Sequence, residues 1–189
     1  MAKSNFKCDK MEKTELRRNI KLLTKVLPEG DSSKQSLCVV EQLRGVIAQR
    51  RPRVVALFSP LPDEVQIAGL VSELSCRVVL PRVAGEDMEF YDFCSASMAT
   101  GAFGILEPQG GAPCRVEDID LMVVPGVAFT SGGSRLGRGK GYYDKYLSRK
   151  GFRAFCVGVC YAHQLLAELP VEPHDRAMDM VISGCNEQS

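Results

Sequence analysis

VPGVAFTSGGSRLGRGKGYYDKYL, residues 124–147, is the stretch whose reading decides the architecture. Gly132, Gly133, Gly137, Gly139 and Gly141 alternate with Arg135, Arg138 and Lys140, and Tyr142-Tyr143-Asp144 follows. The apolar run 119–124 leads in as a strand, and Tyr142, Tyr143, Tyr146 and Leu147 fall on one helical face leading out. A strand, a glycine-rich basic loop and a helix start in that order make an anion site. Glycine lets the backbone approach a phosphate closely, the first helical turn offers free N–H groups, and the cations supply charge. The loop is neither common nucleotide motif. Ser134 and Gly141 stand where a Walker A loop needs its first glycine and its Ser or Thr, and the spacing G-x-G-x-G is not the Rossmann fingerprint.

Outward from this loop, short apolar runs alternate with amphipathic ones. Helices are expected at 11–26, with Leu16, Ile20, Leu23 and Leu27 at helical spacing before Pro28, and from the Gly30–Ser33 turn to Arg50, carrying Leu37, Val40, Leu43 and Ile47 before Pro52. A third is expected at 64–74. Strands are expected at 53–58, 76–80 (stopped by Pro81), 88–93, 119–124, 152–159 and 178–182, with 101–108 irregular. Alternation of this kind predicts an α/β fold of three layers, a mainly parallel, Rossmann-like open sheet with helices on both faces. Ligands of such sheets bind beyond the carboxyl ends of the strands.

The 189 residues make a single domain, 1–189, with 1–10 loose. A net charge of +1 gives no long-range case for nucleic acid. The polar, charged start of the chain is not a signal peptide, and no apolar run approaches a membrane span. Eight scattered cysteines without a C-x-x-C pair read as small buried hydrophobes, Cys156 and Cys160 among them, and a reducing cytoplasm fits.

Each polar candidate has two readings. Lys13 and Arg17, four apart on one helix face, reach a phosphate or are simply solvated. Glu64 binds a substrate amine or amide, or sits in a first helical turn capped by Asp63. Asp144, just after the loop, holds Mg²⁺ or stabilises the helix start. Asp179, between apolar residues, meets a metal or faces water at an edge. His174-Asp175 invites a dyad, but Pro170 and Pro173 favour a loop with a structural hydrogen bond.

RLGRGKGYYD (135–144) resembles the signature of the 5-formyltetrahydrofolate cyclo-ligases, also called 5,10-methenyltetrahydrofolate synthetases. KTELR (13–17), SPLPDEV, VVLPRV (78–83), FGILEP (103–108), VPGVAF and HDRAMDMVI carry the resemblance over nearly the whole chain. A monomer is the default expectation, and the resemblance implies a ligase with ATP and Mg²⁺ as cofactors. It would convert the small molecule 5-formyltetrahydrofolate to 5,10-methenyltetrahydrofolate by phosphorylating the formyl oxygen, with ADP and phosphate released. It implies ATP contacts from Lys13, Arg17, Arg135, Leu136, Gly137, Arg138, Gly139, Lys140, Gly141, Tyr142 and Tyr143. Arg138 and Lys140 would serve the chemistry. Phe58, Glu64, Met88 and Tyr142 would touch the folate, with Phe90 as a further apolar wall, and Asp144 and Asp179 would be tied to magnesium. A sugar-phosphate enzyme on a similar fold, or a binding module without chemistry, are the competing readings. Thr130 stands where family members often carry an acid.

Overall fold

The computed structural model describes residues 12–101, 104–170, 172 and 176–185. The segment 1–10, Phe103 and the His174-Asp175 pair lie outside the described residues. In chain order the elements are α1 (Lys13–Val26), α2 (Glu29–Arg50), β1 (Val54–Ala56), α3 (Leu70–Glu73), β2 (Arg77–Ala84), β3 (Asp87–Asp92), β4 (Met98–Thr100), β5 (Leu106–Pro108), β6 (Leu121–Pro125), β7 (Ala128–Thr130), β8 (Arg135–Leu136), α4 (Tyr142–Leu147), β9 (Phe155–Cys160), β10 (Leu165–Leu166) and β11 (Met180–Ser183).

Six strands form the central sheet in the order β11-β9-β6-β1-β2-β3. All neighbours are parallel except the β2–β3 hairpin at the edge. Side chains alternate across it, as the strand period demands. Val55, Leu57, Leu121, Val123, Val157 and Ile182 face α2 through Val39, Val40, Leu43 and Ile47. Val54, Ala56, Met122, Val124 and Cys156 face the other way, against Tyr146 and Leu147 of α4. The α/β fold, with a mostly parallel sheet covered on both faces, is the one expected. A third, smaller cluster sets Leu16 and Ile20 of α1 on Ala128 and Leu136, so α1 crosses over the small β10-β7-β8 sheet.

Several local expectations are corrected. No helix spans 64–74: α3 is a single turn at Leu70–Glu73, because 61–66 is locked in its own hydrogen-bonded loop. Pro81 does not stop a strand. β2 runs through it, since the register with β1 ends at Val79 and no ladder bond to β1 is asked of Pro81. The irregular 101–108 ends in β5, paired with β4. Helix α2 starts at Glu29, before the expected turn, and Leu37 is exposed, as is Leu23 of α1. Pro28 and Pro52 do punctuate as expected, with Arg51 in the left-handed region (φ 50°) closing α2.

Cysteine usage is also corrected. Cys114, Cys156 and Cys160 are buried and unpaired, and burial pushes the thiols of Cys156 and Cys160 up to about 12. Cys38 of α2 and Cys185 beyond β11, however, form a disulfide across 147 positions. The sequence argument for a reducing compartment loses the support of unpaired thiols.

Two outcomes follow from this packing. Gly133 has φ 92°, and a Cβ there would lie 2.3 Å from the Met178 carbonyl oxygen, so Gly133→Ala costs about 2–3 kcal/mol in a urea titration. The disulfide removes up to about 5 kcal/mol of unfolded-chain entropy. Reductant therefore lowers the calorimetric Tm by on the order of 10 °C, and a Cys38→Ser variant starts at the lower Tm and ignores reductant.

Candidate functional site

The sheet reverses its winding between β1 and β6: the chain proceeds from β1 outward to β2 and β3, then returns to the other side of β1. Loops leaving two neighbouring strands in opposite directions open a crevice at their carboxyl ends. Everything that lines the main pocket is delivered there.

The loop after β1 builds the first wall. The Leu61 N–H donates to Glu64 Oε2 (2.9 Å), the Gln66 amide donates to the carbonyls of Leu61 (2.9 Å) and Glu64 (2.6 Å), and the Tyr161 hydroxyl donates to the Glu64 carbonyl (2.8 Å). Glu64 is thereby fixed and buried, 7 % exposed. Its other oxygen, Oε1, accepts from Arg138 Nε at 2.9 Å, while the two terminal nitrogens of Arg138 fork onto Asp63 at 3.1 and 2.6 Å. Burial pushes the Asp63 carboxyl up, but the hydrogen bond and charge of Arg138 outweigh it and hold Asp63 below the usual carboxylate range. Burial likewise opposes the charge on Arg138, and the same two carboxylates raise it above its ordinary value.

The loop after β6 and the β7–β8 hairpin build the second wall. Thr130 is buried and its hydroxyl accepts from the Ser134 N–H (3.1 Å), closing the hairpin. Arg135 then turns back: it donates to the Pro125 carbonyl (3.1 Å) and to Asp144 Oδ1 (2.5 Å), with its side chain 5 % exposed. Arg17 of α1 reaches across to donate to the Gly137 carbonyl at 2.8 Å. Gly141, at φ 73°, turns the chain into α4. That places Tyr142, which donates to the Gly85 carbonyl (3.1 Å), beside Tyr143, whose buried hydroxyl has no hydrogen-bond partner among the described residues and whose pKa burial raises.

The pocket so formed holds about 140 Å³. Its lining combines apolar side chains, Phe58, Pro81, Val83, Met88 and Ile105, with polar ones, Glu64, Glu107, Arg135, Arg138, Lys140, Tyr143 and Asp144. On the far side of Arg138 a second cleft of about 150 Å³ is lined by Arg17, Lys21, Thr24, Asp63 and Gln164. Arg138 borders both.

Of the residues singled out in the sequence, Phe58, Glu64, Met88, Arg135, Gly137, Arg138, Lys140, Gly141, Tyr142, Tyr143 and Asp144 converge on the main pocket, and Arg17 on the second cleft. Others do not join them. Leu136 is core, under α1, and Phe90 is fully buried against Tyr146 rather than on a pocket wall. Gly139 faces the Arg17 guanidinium without lining either cavity. Lys13 pairs with Glu172 at 3.4 Å. Asp179 lines neither cavity: it is exposed near the amino end of β9, where its Oδ2 accepts the Cys156 N–H at 2.7 Å. Among the described residues no cluster of three or more His, Cys, Asp or Glu side chains is assembled for a metal. Sequence reading missed Asp63 as an ion-pair partner, Lys21, and Glu107. The approach of DE (63–64) to Arg138 leaves no spacing signal, since it spans two loops.

The profile of the 5-formyltetrahydrofolate cyclo-ligase family matches residues 9–184. The 5,10-methenyltetrahydrofolate synthetase of Aquifex aeolicus is 35 % identical, covers 93 % of this chain and 91 % of its own, and superposes with a TM-score of 0.83. The 5-formyltetrahydrofolate cyclo-ligase of Mycolicibacterium smegmatis is 29 % identical across 90 % of this chain and 91 % of its own. That of Saccharomyces cerevisiae is also 29 % identical, across 89 % and 93 %. Fold, loop signature and full-length similarity agree: the chain belongs to the 5-formyltetrahydrofolate cyclo-ligase family.

Proposed function

We propose that this ligase carries out the ATP- and Mg²⁺-dependent conversion of 5-formyltetrahydrofolate to 5,10-methenyltetrahydrofolate. The observation that carries the reading is the shared position of Arg138, between a half-apolar pocket with buried carboxyls and a cleft lined by Arg17 and Lys21. A flat, partly polar ring system suits the first, a triphosphate suits the second, and the groups that exchange a phosphoryl would meet at Arg138.

The residues present fit these ligands. The buried Tyr143 hydroxyl has no partner among the described residues and so is available to a ligand. Lys140 lines the pocket, exposed, with no ion pair to a described residue. Mg²⁺ binds through one or two carboxylates plus substrate phosphates rather than an all-protein cage, and Asp144 at the pocket edge supplies one such carboxylate. Asp179 is not part of this proposal.

ATP with Mg²⁺, when bound, supplies the phosphoryl group that turns the formyl oxygen into a leaving group, so that the second folate nitrogen can close on that carbon with release of ADP and phosphate. The chain's own part is positioning and charge. Glu64, fixed by Leu61 and Arg138, orients the ring. Phe58, Met88 and Val83 exclude water from it. Arg138 is pre-oriented by Asp63 and Glu64, so it meets developing negative charge without reorganising. Arg135 is anchored on Pro125 and Asp144, which fixes the loop that carries Arg138 and Lys140. Arg17, by holding the Gly137 carbonyl, ties α1 to the same loop.

The test is an absorbance assay. Purified protein with 5-formyltetrahydrofolate, Mg²⁺ and ATP generates the conjugated methenyl product, and omission of ATP or Mg²⁺ abolishes it; product without ATP would overturn the reading. Arg138→Ala lowers turnover by about 100-fold or more with an unchanged far-ultraviolet circular dichroism spectrum. Asp144→Ala raises the Mg²⁺ concentration needed for half-maximal rate by about tenfold; an unaltered requirement would remove Asp144 from the metal.

A further inference from the structure

Glu107 is a buried carboxyl in the main pocket to which the chemistry above gives no task. It stands on β5, opposite Ala99 in the hairpin, is 4 % exposed, and shares the pocket wall with Val83 and Ile105. Burial dominates its surroundings and pushes its pKa up; the Val83 backbone and the nearby Arg82 offset this in part. Arg82 does not pair with it within ion-pair distance. That guanidinium lies 3.7 Å over the Tyr91 ring and donates to the Pro108 carbonyl at 3.4 Å.

Glu107 therefore differs from Glu64. Both oxygens of Glu64 are engaged, one by Arg138 and one by the Leu61 N–H. Glu107 has a backbone hydrogen bond from Val83 but no cation at ion-pair distance, so its carboxyl keeps acceptor capacity for a further donor, and it is kept on the wall of a cavity. It is also held in place. The Cδ and Oε2 atoms of Glu107 would lie 2.2 Å from a Cβ on Gly101, so the absence of a side chain at Gly101 is what lets the carboxyl lie flat against the wall.

We infer that Glu107 is a second substrate-recognition residue, whose carboxyl takes an N–H of the reduced bicyclic ring while Gly101 provides the space that orients it. The inference rests on the proposed folate activity. A reduced pterin presents several ring and exocyclic N–H donors, more than the engaged Glu64 can satisfy. A carboxyl buried beside Val83 and Ile105 disfavours a ring lacking the matching donor, because its remaining acceptor sites are then shut from water and unfilled.

Two variants and two readouts test this. Glu107→Leu raises the KM for 5-formyltetrahydrofolate by about tenfold or more while the KM for ATP stays within about twofold. Glu107→Gln, which keeps a hydrogen-bonding group, recovers most of the loss. Gly101→Ala reproduces the folate-specific rise by displacing the carboxyl without altering its chemistry, and guards against Glu107→Leu failing to fold. An unchanged folate KM in Gly101→Ala and in folded Glu107→Leu, or an equal rise in both KM values, overturns the inference. Equilibrium titration of 5-formyltetrahydrofolate in the absence of ATP separates the two levels. Wild-type binding without turnover would sink the proposed reaction, while a tenfold weaker Kd in Glu107→Leu would still uphold the role of Glu107. Turnover with equal Kd in wild type and variant would sink the role of Glu107 alone.

Discussion

Two acidic side chains from one loop close on a single guanidinium from another, and the geometry of the pocket depends on that closure. Asp63 and Glu64 leave the sheet after β1; Arg138 arrives from the far end of the glycine-rich loop, 74 positions after Glu64. With one carboxylate largely buried, the arrangement is stable because each carboxylate oxygen has a partner: Arg138 and Leu61 for Glu64, Arg138 for both oxygens of Asp63. A buried ion pair of this kind is weak evidence for added stability and better evidence for a fixed geometry. A flexible glycine loop without this clamp would sample many positions. With it, Arg138 is held in one arrangement by both carboxylates.

The sheet makes the clamp possible. Adjacent parallel strands that hand their loops in opposite directions leave a crevice that no side chain from the core fills. The apolar clusters on both faces of the sheet hold β1 and β6 side by side beneath it. Arg135 shows the division of labour: almost wholly buried, it spends its donors on Pro125 and Asp144 and acts as a strut. Arg138, partly exposed, keeps a face toward both cavities.

How much of this was legible in the sequence depended on range. Apolar runs, proline stops and the glycine loop are local signals, and they sufficed for the α/β class, for α1, α2 and most strands, and for the loop residues that reach the pocket. The failures are contacts between distant segments. Nothing near Cys38 points to Cys185. Glu64 looked like a residue in a first helical turn because the loop bonds from Gln66 and Tyr161 that hold 61–66 in place come from its tertiary setting. Pro81 looked like a terminus because the sequence does not show that β2 loses its β1 neighbour at Val79. Glu107 lay in a stretch without periodicity, and only the fold reveals that Gly101 and Val83 enclose it. Asp179 read either as meeting a metal or as facing water at an edge; it is exposed and accepts a backbone amide from Cys156.

The Cys38–Cys185 bond makes a covalent ring of everything between those positions, which includes the whole central sheet and both loops of the site. Helix α1 is not in that ring. It hangs from it through the first half of α2 and rests on the small sheet through Leu16 and Ile20, with Leu22, Leu23 and Val26 facing water. The chain-entropy gain of a cross-link belongs to the segment it encloses, so α1 draws none of it. The helix that brings Arg17 to the glycine loop is thus the element whose opening is decoupled from the opening of the rest. Amide protons of α1 would exchange by lifting away from a site whose other walls are still closed.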